Sequence, residues 1–173
     1  MKSLLQQSRR FLIPLALICL LGIWLFAINS KEQAPDVTFT TLKGEEIKLS
    51  ALEGKVVLVN FWATDCPGCI KEMPDLIKTY NDYKDKGFEL VAVAMSYDPP
   101  SHVLNYSEKN ALPFPVMHDS YGEIAANFNN VRVTPTAFIL DKQGKVISRI
   151  IGELDFKALH ALLDQQLSMP NKT

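Results

Sequence analysis

Histidine and cysteine are scarce in this chain, three of each in 173 residues. The histidines, His102, His118 and His160, stand singly, so no second pair of ligands completes a structural zinc site. The net charge is only −1, which leaves no basic excess for binding nucleic acid. Internal repeats and low-complexity stretches are also missing. A hydrophobic content of 47% with 21% charged residues excludes a disordered chain, and the length suits one domain plus a small terminal element.

Acids are missing from one region altogether: none occurs before Glu32, whereas Lys2, Arg9 and Arg10 precede a run without charge, Phe11 to Ile28. As a helix this run would be roughly 27 Å long, close to the hydrocarbon thickness of a bilayer. Trp24 near its far end suits a membrane interface, and the cations ahead of it predict a cytoplasmic N-terminus with the body outside. A cleaved signal peptide is the alternative. The apolar run is long for one, and Ala27-Ile28-Asn29-Ser30 lacks a small-x-small cleavage pattern. The expected organisation is a cytoplasmic N-terminus (1–10), a single-pass anchor in the cytoplasmic membrane (11–29), a linker (30–35), a domain (36–168) and a short tail (169–173). Without the three N-terminal cations, fifteen bases face nineteen acids, so the body is mildly acidic.

Within that body, Phe39–Thr41 and Glu46–Leu49 flank Lys43-Gly44 as a small hairpin, and Ser50 is placed to cap a single turn ending at Gly54. Lys55–Phe61 is a β-branched run of buried-strand type. Pro67–Tyr83 follows as a helix, stopped by Gly87 before a second buried strand at Phe88–Ser96. Strand, helix, strand makes a right-handed crossover, so the two strands should be parallel neighbours. Asp98-Pro99-Pro100 begins a helix reaching Lys109, Val116–His118 is a brief strand, and Gly122–Phe128 a short helix. Thr136–Leu140 and Lys145–Ile151 flank a hairpin turn at Asp141–Gly144. Asp155–Leu167 closes as an amphipathic helix with Phe156, Leu159, Leu162 and Leu163 on one stripe. The expected fold class is α/β, a mixed central sheet flanked by helices.

The cysteines separate by context. Cys19 lies inside the apolar run and behaves as a small apolar residue. Cys66 and Cys69 form a C-x-x-C pair, and a loop that short stabilises a fold little, so the pair reads as redox or metal chemistry. Its position between a buried strand and a helix gives it a redox meaning. Cys66 falls at the N-cap and Pro67 at the first helical position, which proline fits well. The helix dipole and free amides there favour a Cys66 thiolate, the form that attacks a disulfide. Cys69, one turn deeper, can resolve the mixed disulfide. The chemistry calls for no cofactor and no metal.

The segments Asn60-Phe61-Trp62-Ala63-Thr64, Cys66-x-x-Cys69 and Lys71-Glu72-Met73-Pro74, together with Val133-Thr134-Pro135-Thr136-Ala137-Phe138-Ile139, resemble the ResA/TlpA group of thioredoxin-like proteins. The likeness covers roughly residues 34 to 167. It implies a thioredoxin-like fold with an N-terminal β-hairpin and a central insertion, preceded by one transmembrane helix. It further implies a cis bond before Pro135, with Thr134 offering backbone hydrogen bonds to a bound substrate; Trp62 and Pro67 complete the expected substrate-binding surface. Glu72 matches an acid near the two sulfurs and becomes a candidate proton shuttle for Cys69. Asn60 stands where thioredoxin carries a buried aspartate, so Glu72 would replace that acid. Asp65 departs from the group, which usually has an aromatic residue directly before the first cysteine. Asp65 reads either as an exposed loop charge without a role or as a residue that alters partner docking and offsets part of the helix-dipole effect on Cys66.

The resemblance points to an extracytoplasmic or periplasmic reductant of protein disulfides, regenerated by a membrane electron donor. Its partner would be an apocytochrome c, as in cytochrome c maturation, or a copper-site protein. Two other readings stand beside it: a disulfide-forming oxidant, and a copper-delivery module for a respiratory oxidase using Cys66 and Cys69 with His118, Met95 or Met117.

Overall fold

The computed structural model describes residues 32–170. The expected cytoplasmic N-terminus, the anchor and the first part of the linker lie outside the described residues. Among the described residues, no helix is long and apolar enough to cross a membrane. The domain opens with two short antiparallel strands, β1 (Thr38–Thr40) and β2 (Glu46–Lys48), with Phe39 opposite Ile47. A 3-10 turn follows at Leu49–Leu52 and buries Leu49 and Leu52. Ser50 does not cap it: the turn starts after Lys48 with no side-chain cap, and Ser50 instead lends its carbonyl to Glu53 N–H. The turn is held by burying its two leucines rather than by a polar cap.

The centre of the domain is a strand buried at every position, β3 (Val56–Trp62). Helix α1 (Pro67–Tyr83) leaves it, and β4 (Phe88–Ala94) returns parallel to it with Val59 beside Val91. Helix α2 (Pro100–Lys109), strand β5 (Val116–His118) and the short helix α3 (Glu123–Asn127) follow β4. Then β6 (Thr136–Leu140) and β7 (Val146–Ile151) add antiparallel strands, and α4 (Phe156–Ser168) closes the domain. The sheet order is β5-β4-β3-β6-β7. Asp155 caps α4 by accepting from the N–H groups of Lys157 and Ala158 at 2.9 and 3.1 Å, an arrangement that satisfies two of the four donors free at a helix start.

Side chains alternate across β3 because the period of a strand is two. Val57, Val59 and Phe61 join Phe39, Phe128 and Phe138 in one apolar cluster, while Val56, Leu58 and Trp62 join Cys69, Met73, Leu76, Leu159 and Leu163 in the other. A strand covered on both faces carries apolar residues continuously, with one exception here: Asn60, wholly buried. It occupies an even position, on the face that packs against α1.

Both edges of the sheet meet the N-terminal segment. Thr41 bridges Met117, and Leu42 N–H donates to Val116 O at 2.9 Å along the β5 edge. At the other edge Gln33 bridges Lys145, and Val146 N–H donates to Glu32 O at 2.8 Å. Residues 32–34, read from sequence as part of a polar link, are thus tied to the start of β7. Their polarity concealed this, because the bonds are made by backbone groups that any residue supplies. Covering a strand edge in this way also blocks its pairing with other chains.

Candidate active site

The turn from β3 into α1 carries the C-x-x-C pair. Cys66 is the N-cap, its backbone extended, and its sulfur accepts a hydrogen bond from Cys69 N–H at 3.2 Å; Pro67 opens the helix. The two cysteines are joined as a disulfide with a Cα–Cα separation of 5.3 Å. Cys66 is half-buried and Cys69 completely buried. The geometry therefore gives the pair the asymmetry expected from position alone: one sulfur at the helix mouth, the other one turn inward.

Glu72 lies one turn beyond Cys69 on the same helix face and is only 3% exposed. Its Oε2 accepts from Leu154 N–H at 3.2 Å, while Oε1 has no hydrogen-bond partner among the described residues. Burial dominates its chemistry and pushes the carboxyl from 4.5 up to about 7. The Leu154 N–H and the Asn60 amide oppose that rise, and the charge of Glu153 adds to it. The Asn60 carboxamide stands near enough to Glu72 to hold its rise down, although neither its Oδ1 nor its Nδ2 completes a hydrogen bond among the described residues. Asn60 and Glu72 are thus two buried polar groups with unused capacity on the α1 side of β3. Such groups are costly in a core, and these two stand among otherwise apolar neighbours around Cys69.

The Thr134–Pro135 bond is cis, as the resemblance implied. Pro135 is buried, and its Cδ would lie 3.6 Å from a Cβ placed on Gly68, so the proline packs directly against the first turn of α1. Two bonds fix this loop: Thr136 Oγ1 donates to Val133 O at 2.7 Å, and Gly152 N–H donates to Pro135 O at 2.8 Å. Gly68 is closely covered, since a Cβ there would also come within 3.3 Å of the Glu153 side chain, which would have to shift by a few tenths of an ångström. Glu153 pairs with Lys71 at 2.6 Å.

Pro67 and Asp65 are exposed beside Cys66, where a partner can reach them. Trp62 is not. It is 0% exposed and its ring packs on Tyr106 at 5.4 Å between centroids, so the expected substrate contact is corrected to a core residue beneath the site. An even position on a strand buried on both faces points inward whatever the ring could do outside. The groups considered for copper are not brought to the sulfurs. Met95 and Met117 are buried in the apolar cluster on the sheet face opposite Cys69. His118 is engaged at both ring nitrogens, by Asp98 O at 2.7 Å and Ser120 Oγ at 2.9 Å.

Sequence reading missed Asp98 and Glu153. Asp98 stands before two prolines and reads as the start of a helix, yet it is 2% exposed and its carboxylate accepts from both Thr64 N–H and Thr64 Oγ1 at 2.6 and 2.7 Å. No local pattern announces a partner 34 positions away. Glu153 sits in a turn where acids are common, and only the packing of Gly68 beneath it reveals its place.

The Redoxin family matches residues 29–163. The thiol–disulfide oxidoreductase ResA of Bacillus cereus is 38% identical over 134 residues, covering 78% of this chain and 76% of that protein. ResA of Geobacillus kaustophilus is 35% identical over 162 residues, 89% of this chain and 92% of that one. Among solved structures, a thiol:disulfide interchange protein of the thioredoxin family from Chlorobium tepidum superposes with a TM-score of 0.74 at 28% identity, covering 80% of this chain and 98% of that one. With a C-x-x-C disulfide at the mouth of α1 and a cis-proline packed on the same turn, the chain belongs to the Redoxin family, as a thioredoxin-fold thiol–disulfide oxidoreductase of the ResA type.

Proposed function

We propose that this oxidoreductase works as a reductant of protein disulfides outside the cytoplasm, held at the membrane by residues 11–29. In the reaction, the Cys66 thiolate attacks one sulfur of a partner disulfide and the partner's other sulfur leaves as a thiolate. The Cys69 thiolate then attacks the Cys66 sulfur, closing the Cys66–Cys69 disulfide and releasing the partner's second thiolate. Two electrons pass to the partner. Glu72 takes the proton from Cys69 as it becomes a nucleophile; a carboxyl near 7 is suited to exchange protons at neutral pH. Thr134 and Pro135, with Pro67, receive the substrate backbone beside Cys66. An oxidising compartment then requires a membrane electron donor to restore the dithiol. An apocytochrome c with a C-x-x-C-H pair, or a copper-site protein, has the chemistry of a substrate, and the first places the protein in cytochrome c maturation.

The observation that carries the reductive direction is the buried Glu72 one turn from Cys69. Strong oxidants of this fold stabilise their reduced form through a low thiol pKa. A carboxylate beside the sulfurs opposes thiolate formation, as does Asp65 beside Cys66, and so favours the disulfide within the protein. The reduction potential tests this. A value below about −200 mV fits a reductant, whereas a value near −120 mV is that of a strong oxidant and would overturn the direction.

A further inference from the structure

Two adjacent residues of the loop after β4 reach the two halves of the active site separately. Asp98, buried, receives both hydrogen bonds from Thr64, two positions before Cys66. Tyr97, 54% exposed, joins its hydroxyl to Thr134 Oγ1 at 3.1 Å, directly before the cis bond. The loop itself is anchored from two sides. Met95 N–H donates to Trp62 O at 3.0 Å, and Asp98 N–H to Met95 O at 3.0 Å. The Asp98 carbonyl can only accept, so the 2.7 Å contact with His118 is a bond donated by Nε2–H from β5.

We infer that Tyr97 and Asp98 are positioning residues that set the spacing between Cys66 and the substrate-receiving edge at Thr134. The cysteine turn and the cis-proline loop are far apart in sequence, and correct spacing matters only to a substrate that uses both. A disulfide carried on an extended polypeptide must present its sulfur to Cys66 while its backbone lies along Thr134. A small disulfide needs only Cys66. The Tyr97–Asp98 bracket therefore contributes to selection of polypeptide over small-molecule disulfides. Chemistry supports assigning this to positioning and not to the reaction itself: neither side chain touches a sulfur, and both act through a threonine.

This inference rests on the reading that Thr134 receives substrate backbone. The test uses the reduced full-length protein carrying Cys19→Ala, so that only the redox pair reacts. Single-turnover rates are measured with a small aromatic disulfide whose thiolate is coloured and with a short extended peptide bearing a mixed disulfide. Tyr97→Phe should lower the ratio of peptide rate to small-disulfide rate roughly tenfold, the worth of one hydrogen bond. Thr64→Val and Asp98→Asn should shift the ratio in the same direction, and Thr64→Ser, which keeps both donors, should restore it. Equal losses on both disulfides would show a merely structural role and overturn the proposal, as would an unchanged ratio in all variants. The wild-type rate with the small disulfide tests the exchange activity alone, so a failure of that activity is distinguishable from a failure of the bracket.

Discussion

Cys66→Ser is expected to remove disulfide exchange, with turnover falling on the order of a thousandfold or more, the scale of losing a catalytic nucleophile. The reason is positional. Cys66 caps α1 and is half-buried at its mouth, whereas Cys69 is completely enclosed. With Cys66 gone, the remaining thiol is enclosed in the core, out of reach of a protein substrate, and the capping thiolate that the helix N-terminus favours is lost. Cys69→Ser should behave differently: the first attack proceeds at Cys66 and the reaction then stops at the mixed disulfide. A single-turnover burst from Cys69→Ser, set against none from Cys66→Ser, checks this asymmetry.

Glu72→Gln is the second substitution with a large expected effect, and it acts in opposite directions on rate and stability. The exchange rate should fall by roughly 10²-fold, the usual contribution of a positioned acid or base, and its inflection near neutral pH should vanish. Stability changes with the other sign. The native carboxyl titrates at about 7 instead of 4.5, chiefly through burial. Between those values the folded protein keeps a proton that the unfolded chain has released, so stability falls as pH rises through this window and stays lower above it. The cost to the native state above the window is about 3 kcal/mol. Glutamine does not titrate. The stability of Glu72→Gln relative to wild type, from urea midpoints of the oxidised proteins, should therefore rise by about 3 kcal/mol between about pH 4 and pH 8. A constant difference would place the Glu72 carboxyl at an ordinary value.

Much of this arrangement is legible in the sequence, for a physical reason. The strand Val56–Trp62, the helix Pro67–Tyr83 and the strand Phe88–Ala94 are marked by local signals: β-branched runs, a proline at the first helical position, and Gly87 at a φ of 95° after the helix. The redox pair is legible because its meaning depends on a strand-to-helix junction that the same signals define. What escapes is non-local. Asp98 reads as the start of a helix, but α2 begins at Pro100 after Pro99, without a side-chain cap; the carboxylate serves Thr64 across the sheet. Trp62 reads as a substrate-facing aromatic near the motif, and only the cover on both faces of β3 turns it inward. Residues 32–34 look like tether because backbone pairing leaves no mark on composition. The cis bond before Pro135 is legible only through the family resemblance, since most X–Pro bonds are trans.

The central claim is that Cys66 attacks and Cys69 resolves. Trapping in cells with the Cys69→Ser and Cys66→Ser proteins, followed by mapping of the linked residue, tests it most directly. The account predicts that Cys69→Ser accumulates mixed disulfides through Cys66 with proteins outside the cytoplasm, while Cys66→Ser accumulates none. Adducts on Cys69 in the Cys66→Ser protein, with Cys69→Ser left unlinked, would contradict it.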